Sequence, residues 1–156
     1  MATTTQRQVY INILSTLHAS ADADAISVHK DYIYLTPIPV YSQSDDKLIQ
    51  LIPGTPTIET DIAGIGYAEE DFRVAVWARC FLDQINRSTE KVTNATYGVM
   101  ATMNEVRQSL IQSTAGGVLT TPILWVNGSH PVESEDAVGW VYYEDTYRMG
   151  FEITWG

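Results

Sequence analysis

The strongest constraint on the fold of this chain is the alternation near its C-terminal end. Tyr147, Met149, Phe151, Ile153 and Trp155 alternate with Arg148, Gly150, Glu152 and Thr154. Side chains of a strand point to opposite faces in turn, so this pattern predicts a strand with one buried and one wet face. The same alternation recurs in Asp71–Phe81. There Phe72, Val74, Val76, Ala78 and Cys80 line one face, and Arg73, Ala75, Trp77 and Arg79 line the other.

Strands with a dry face need a cover. A long helix over about Ser88–Gln112 is predicted to supply it. Val92, Thr96, Val99, Met103, Val106 and Leu110 recur at helical spacing as one stripe. Ser88 suits the N-cap and Glu90 the first turn. Gly98 is a fault inside that helix, costing about 1 kcal/mol relative to alanine. Gly116-Gly117 ends the helical region. A second helix is predicted over Thr5–Ala19, with Val9, Ile13 and Leu17 on its apolar face, Thr4 or Thr5 as cap, and Ala21–Asp24 turning the chain.

The remaining strands are read from shorter patterns. Ile26–Leu35 is predicted as a strand with Ile26, Val28, Tyr32 and Tyr34 on one face. Leu48–Ile52 and Thr55–Ile62 are predicted to form a hairpin around Pro53-Gly54, within a Pro- and Gly-bearing segment at about 41–70 that reads as a protruding loop or hairpin. Leu119–Val126 is another strand, ended by the turn pair Asn127-Gly128. Val138–Tyr143 and Tyr147–Trp155 are predicted as two strands of a hairpin turning at Glu144-Asp145-Thr146. The predicted class is α+β: a mostly antiparallel sheet covered by one long helix and an N-terminal helix, in a single domain over residues 1–156.

Nine basic and nineteen acidic residues give a net charge of −10, with no basic cluster. Binding nucleic acid by neutralising phosphates needs clustered Lys and Arg, so that class is disfavoured. An acidic surface keeps the chain in solution and also lets DNA pass without sticking. No run approaches the ~20 apolar residues of a membrane span, and Met1–Gln8 is too polar for a secretion signal. Cys80 stands alone at the end of an apolar strand, which predicts an inert buried thiol.

The usual catalytic patterns do not occur. There is no Walker-type phosphate loop, no dinucleotide fingerprint, no His-Glu-x-x-His and no Gly-x-Ser-x-Gly. His18, His29 and His130 have no companion at metal-ligand spacing. Glu69-Glu70-Asp71 and Glu133-x-Glu135-Asp136 lack the spacing of a calcium loop and read as solvated turns. No catalytic residue, metal or cofactor is assigned. The adjacent tyrosines Tyr142 and Tyr143 face opposite sides of a strand, so one of them leaves the core and is a candidate partner contact.

The opening helix Gln6–Leu17, the unit Asp71–Leu110 and the ending Gly139–Trp155 together resemble the tail terminator (tail completion) proteins of long-tailed bacteriophages. The chain departs from that pattern in its long segment 41–70 and in the extra region Leu119–Asp136. The resemblance implies a structural virion protein, made in the host cytoplasm, that forms a homo-oligomeric ring, commonly a hexamer. Such a ring caps the tail tube, meets the head-completion or connector protein, and lets DNA transit its lumen without specific binding; no membrane is involved. The expected subunit contacts are Asp45, Asp46, Leu48, Ile49, Leu51, Ile58, Tyr67 and Tyr143. Two further readings stand beside it: another neck protein (head-completion or stopper) or tail-tube subunit, and a small cytoplasmic enzyme or ligand-binding domain.

Overall fold

Among the described residues the alternating segments assemble into one mixed sheet with two helices on one face. The computed structural model describes residues 5–38, 47–60, 65–79, 98–128, 132–133 and 140–154. In chain order, helix α1 (Gln6–Asp22) leads through a 3₁₀ turn (Lys30–Tyr32) to strands β1 (Ile33–Leu35), β2 (Lys47–Ile52), β3 (Pro56–Thr60) and β4 (Ile65–Arg79). Helix α2 (Val99–Leu110) is followed by β5 (Leu119–Gly128), β6 (Val132–Glu133) and β7 (Trp140–Thr154).

The spine is the pair β4–β7. Each strand has 15 residues, and they run antiparallel without a register shift from Ile65↔Thr154 to Arg79↔Trp140. An interrupted strand lies along each side of this pair. β2 and β3 lie end to end along β4, and β5 and β6 lie end to end along β7. β1 adds to β2 in parallel, the one parallel pairing among the described strands.

Even-numbered residues of β4 and odd-numbered residues of β7 face the helices. Phe72, Val74, Val76, Tyr147, Met149 and Phe151 are buried there against Val9, Ile13 and Leu17 of α1 and Val99, Met103, Val106 and Leu110 of α2. Phe72 stacks on Tyr147 at 5.5 Å between ring centroids, and Tyr10 meets Phe72 edge-on at 6.2 Å. The opposite face is divided. Around Leu48, Ile52, Ala75, Trp77 and Trp140 it is a second buried cluster, with Trp77 stacked on Tyr142 at 4.8 Å. Further along the same strands it carries the exposed residues Glu69, Asp71, Arg73, Arg148 and Glu152.

Several expectations need correction. Leu48–Ile52 and the following run do not pair with each other. Both pair with β4, and the three residues 53–55 stand opposite Asp71 and Phe72, which is a bulge. Gly54 makes it possible, because a Cβ there would lie 1.7 Å from the Asp71 carbonyl oxygen. The segment expected as a loop therefore includes β2, β3 and the first part of β4. Glu144-Asp145-Thr146 is no turn, for it pairs with Ala75, Val74 and Arg73 inside one continuous strand. Asn127-Gly128 likewise belongs to β5.

Ile26 and Val28 are buried but not in a strand, which is confined to Ile33–Leu35. The described second helix has 12 residues and begins after Gly98, whose extended backbone makes it the N-cap. Glycine weakens a helix interior yet is tolerated at its start, so the helix does not run continuously through this position. The expected N-cap Ser88 and the stripe residues Val92 and Thr96 lie outside the described residues, as do Cys80, His130 and Trp155. α1 is capped by the Thr5 hydroxyl, which accepts from the Gln8 amide at 3.2 Å.

Candidate functional site

The expected contact residues do not form one surface. Ile49 and Leu51 are fully buried in the helix-covered core, and Leu48 is fully buried in the cluster on the other face. Ile58 pairs with Ala68 in the β3–β4 ladder. Asp45 and Asp46 lie outside the described residues. Tyr67 reaches across Gly150 on β7, and its hydroxyl sits 2.9 Å from the Thr121 hydroxyl on β5. A Cβ at residue 150 would lie 2.2 Å from the Tyr67 hydroxyl, so this strap over three strands requires glycine there.

Tyr143 joins a polar cluster between α2 and β7 that the sequence reading missed. Arg107 projects from α2 and donates from Nε to Asp145 Oδ2 at 2.6 Å and from Nη2 to Asp145 Oδ1 at 2.8 Å. Nη2 also donates to the Tyr143 hydroxyl at 2.8 Å. The Tyr147 hydroxyl donates to Asp145 Oδ2 at 2.9 Å. Asp145 is completely buried. A buried carboxylate survives only with such partners. Hydrogen bonding to Asp145 holds the Arg107 guanidinium protonated above its ordinary range, against the opposing effect of burial. Burial, then the Asp145 charge, push the Tyr147 phenol well up, so it stays a neutral donor.

The guanidinium lies 5.3 Å from the ring centroid of Trp125 and equally far from that of Tyr143. Gly128 passes close above the same cluster, where a Cβ would lie 2.6 Å from Asp145 Oδ1. Arg107 thereby fixes the distal half of β5. On that half, Leu124, Trp125 and Val126 are 43, 48 and 37% exposed. Three successive exposed apolar residues place apolar side chains on both faces of the strand. β5 is the end of the sheet order β1-β2-β4-β7-β5, with no described strand beyond it.

A second missed residue is Glu70. It is buried on the helix side of β4, beneath the start of α1, where the Gln6 side-chain amide donates to Oε1 at 2.7 Å. Oε2 has no hydrogen-bond partner. Burial pushes its pKa up to about 7, opposed by the Gln6 and Gly54 hydrogen bonds. Its cross-strand neighbours are Met149 and Pro56, neither charged. A carboxyl near neutrality resembles an acid–base group. Here it is closed in under α1 instead of facing a cleft.

The acidic run 69–71 therefore divides: Glu70 points inward, while Glu69 and Asp71 face out and pair with Arg148 at 3.6 and 2.9 Å. Among the described residues no group of three or more His, Cys, Asp or Glu is placed to hold a metal ion, and no helix is long and apolar enough to cross a membrane. His18 Nε2 lies 3.1 Å from the Ile33 carbonyl, and His29 accepts from the Asp31 amide at the 3₁₀ turn.

Phase in the strand was the available signal for both missed acids. Glu70 falls between Ala68 and Phe72, and Asp145 between Tyr143 and Tyr147, each in register with apolar neighbours that face the core. No protein-family model matches the chain, and no curated protein matches its sequence.

Proposed function

We propose that the chain is a structural subunit that assembles with copies of itself into a ring, of the kind that caps a bacteriophage tail tube and joins it to the head connector. The observation that carries this reading is the exposed apolar stretch Leu124-Trp125-Val126 on an edge strand, in a chain whose net charge is −10. Exposed strand edges invite pairing, and most folds guard them with charge. A subunit has a use for such an edge.

The open face of β4 and β7 supports a lumen role for the ring. Glu69, Asp71, Glu144 and Glu152 outnumber Arg73, Arg79 and Arg148 on that side by one. An acid-rich wall repels the DNA backbone and lets it slide. In this reading the tail-tube protein and the head-completion protein meet the two rims of the ring, and the subunit itself needs no cofactor.

Light scattering of the purified protein over a concentration series, with negative-stain images, tests the proposal. Open-centred rings of fixed mass, six copies for a hexamer, are the expected result. Long tubes would instead identify a tail-tube subunit. A monomer at every concentration, alone and with tail tubes added, would overturn the ring reading.

A further inference from the structure

We infer that residues 124–128 of β5, the outermost described strand on that side of the sheet, are where a second copy of this chain adds, by strand-to-strand pairing. The inference rests on the ring reading and deepens it, because it names the surface through which copies meet.

The edge is guarded along its first half, and along its second no described segment covers it. The chain after α2 folds back on Ile123: the Gln112 amide donates to the Ile123 carbonyl at 2.9 Å, and the Ile123 amide donates to the Ser113 carbonyl at 2.9 Å. The Leu119 amide is taken by the Thr114 carbonyl at 3.1 Å, and Pro122 has no amide hydrogen to offer. From Leu124 onward no described segment takes that place. β5 remains tied to β7 on its inner side through Leu124↔Arg148, Trp125↔Tyr147, Asn127↔Thr146 and Gly128↔Asp145, with a one-residue register shift at Val126. The Arg107 cluster holds this half in place from beneath, so the edge is presented ready-formed. Preorganisation of that kind lowers the entropic cost of association.

Charge selects the occupant. Two copies of a protein at −10 repel each other over most of their surfaces. Residues 108–132 contain no Asp, Glu, Lys or Arg, so the whole segment carrying this edge is free of that repulsion. Edge strands that must stay unpaired usually carry a charged residue, most often lysine, and 124–128 carries none. The exposed faces of Leu124, Trp125 and Val126 flank the strand on both sides, so an added strand gains apolar contact as well as backbone hydrogen bonds.

The test substitutes Leu124 and Val126 together, once as L124E/V126E and once as L124K/V126K. Both side chains are exposed, and neither belongs to the Arg107 cluster. Far-ultraviolet circular dichroism and the urea midpoint check that each variant is folded. Sedimentation velocity then gives the concentration of half-assembly, and hydrogen exchange on the wild type locates the protected amides. Both variants are expected to raise the half-assembly concentration at least tenfold, and amides 124–128 are expected to gain protection as wild-type copies assemble. The two signs of charge separate edge blockage from a net-charge effect, in which the lysine variant would assemble more readily. Wild-type assembly with both variants unaffected, or with protection appearing elsewhere, overturns the edge and leaves the ring reading standing. A wild type that never self-associates, alone or with tail tubes added, overturns both.

Discussion

Asp145 and Arg148 lie on the same strand, and each belongs to a two-bonded arginine–carboxylate pair, but the pairs face opposite sides of the sheet. Arg107–Asp145 is sealed under α2, with side chains 25 and 0% exposed. Arg148–Asp71 lies on the open face, with side chains 46 and 44% exposed. Water screens the outer pair and competes for its hydrogen bonds, so its contribution is small. The inner pair offers little net gain over an apolar alternative, yet losing one partner strands a charge where water cannot reach it. Glu70 completes the contrast: next to Asp71 in the chain, it is as buried as Asp145 but has a neutral amide where Asp145 has an arginine. Equal carboxylates on one ladder thus differ in worth according to burial and partner.

Asp145→Ala is expected to have the largest effect. It leaves Arg107 and the Tyr147 hydroxyl without their shared acceptor and costs about 3 kcal/mol. The urea unfolding midpoint measures this, and a loss no greater than that of a surface substitution would erase the contrast between the two pairs.

Glu70 supplies a pH test. Its folded pKa of about 7 stands above the ordinary 4.5. The folded state therefore keeps a proton that the unfolded chain releases, and this contribution to stability falls as pH rises from about 4.5 to about 7. Glu70→Gln removes the titration and is expected to stabilise the protein by about 1–3 kcal/mol above pH 7, with little gain at pH 4. Urea midpoints of both proteins across that range decide it; a constant difference between them would mean Glu70 does not titrate in this window.

Tyr143→Phe removes one acceptor from Arg107 and keeps the ring beside it. A loss of about 1 kcal/mol is expected, in keeping with one hydrogen bond to a charged group that retains its main partner. A double-mutant cycle with Asp145→Asn would show the coupling between them. Smallest of all, Asp71→Asn is expected to leave the urea midpoint within measurement scatter, and at high salt to be indistinguishable from wild type.

Much of the sheet was legible in the sequence because burial follows phase. The faces of Phe72–Ala78 and Tyr147–Ile153, and the stripe Val9, Ile13, Leu17, emerged as the periodicities require. The reading broke where polar residues kept the phase of a strand. Glu144-Asp145-Thr146 looked like a turn because three polar residues in a row usually are one. Glu69-Glu70-Asp71 looked like a solvated turn for the same reason. In both places a core position holds an acid, and only its partner on another element makes that tolerable.

The sequence by itself determined which side chains are apolar at strand and helix spacing, a threonine cap at residue 4 or 5, and an acidic chain with no basic patch, because each depends on residues close together along the chain. Tertiary structure alone decided that β2 and β3 lie end to end along β4, that Arg107 reaches Asp145, that Gly54 lets a bulge close on Asp71, and that no described segment covers β5 from Leu124. Those outcomes turn on which distant segments meet, and a local pattern fixes the face of a strand without fixing its neighbour.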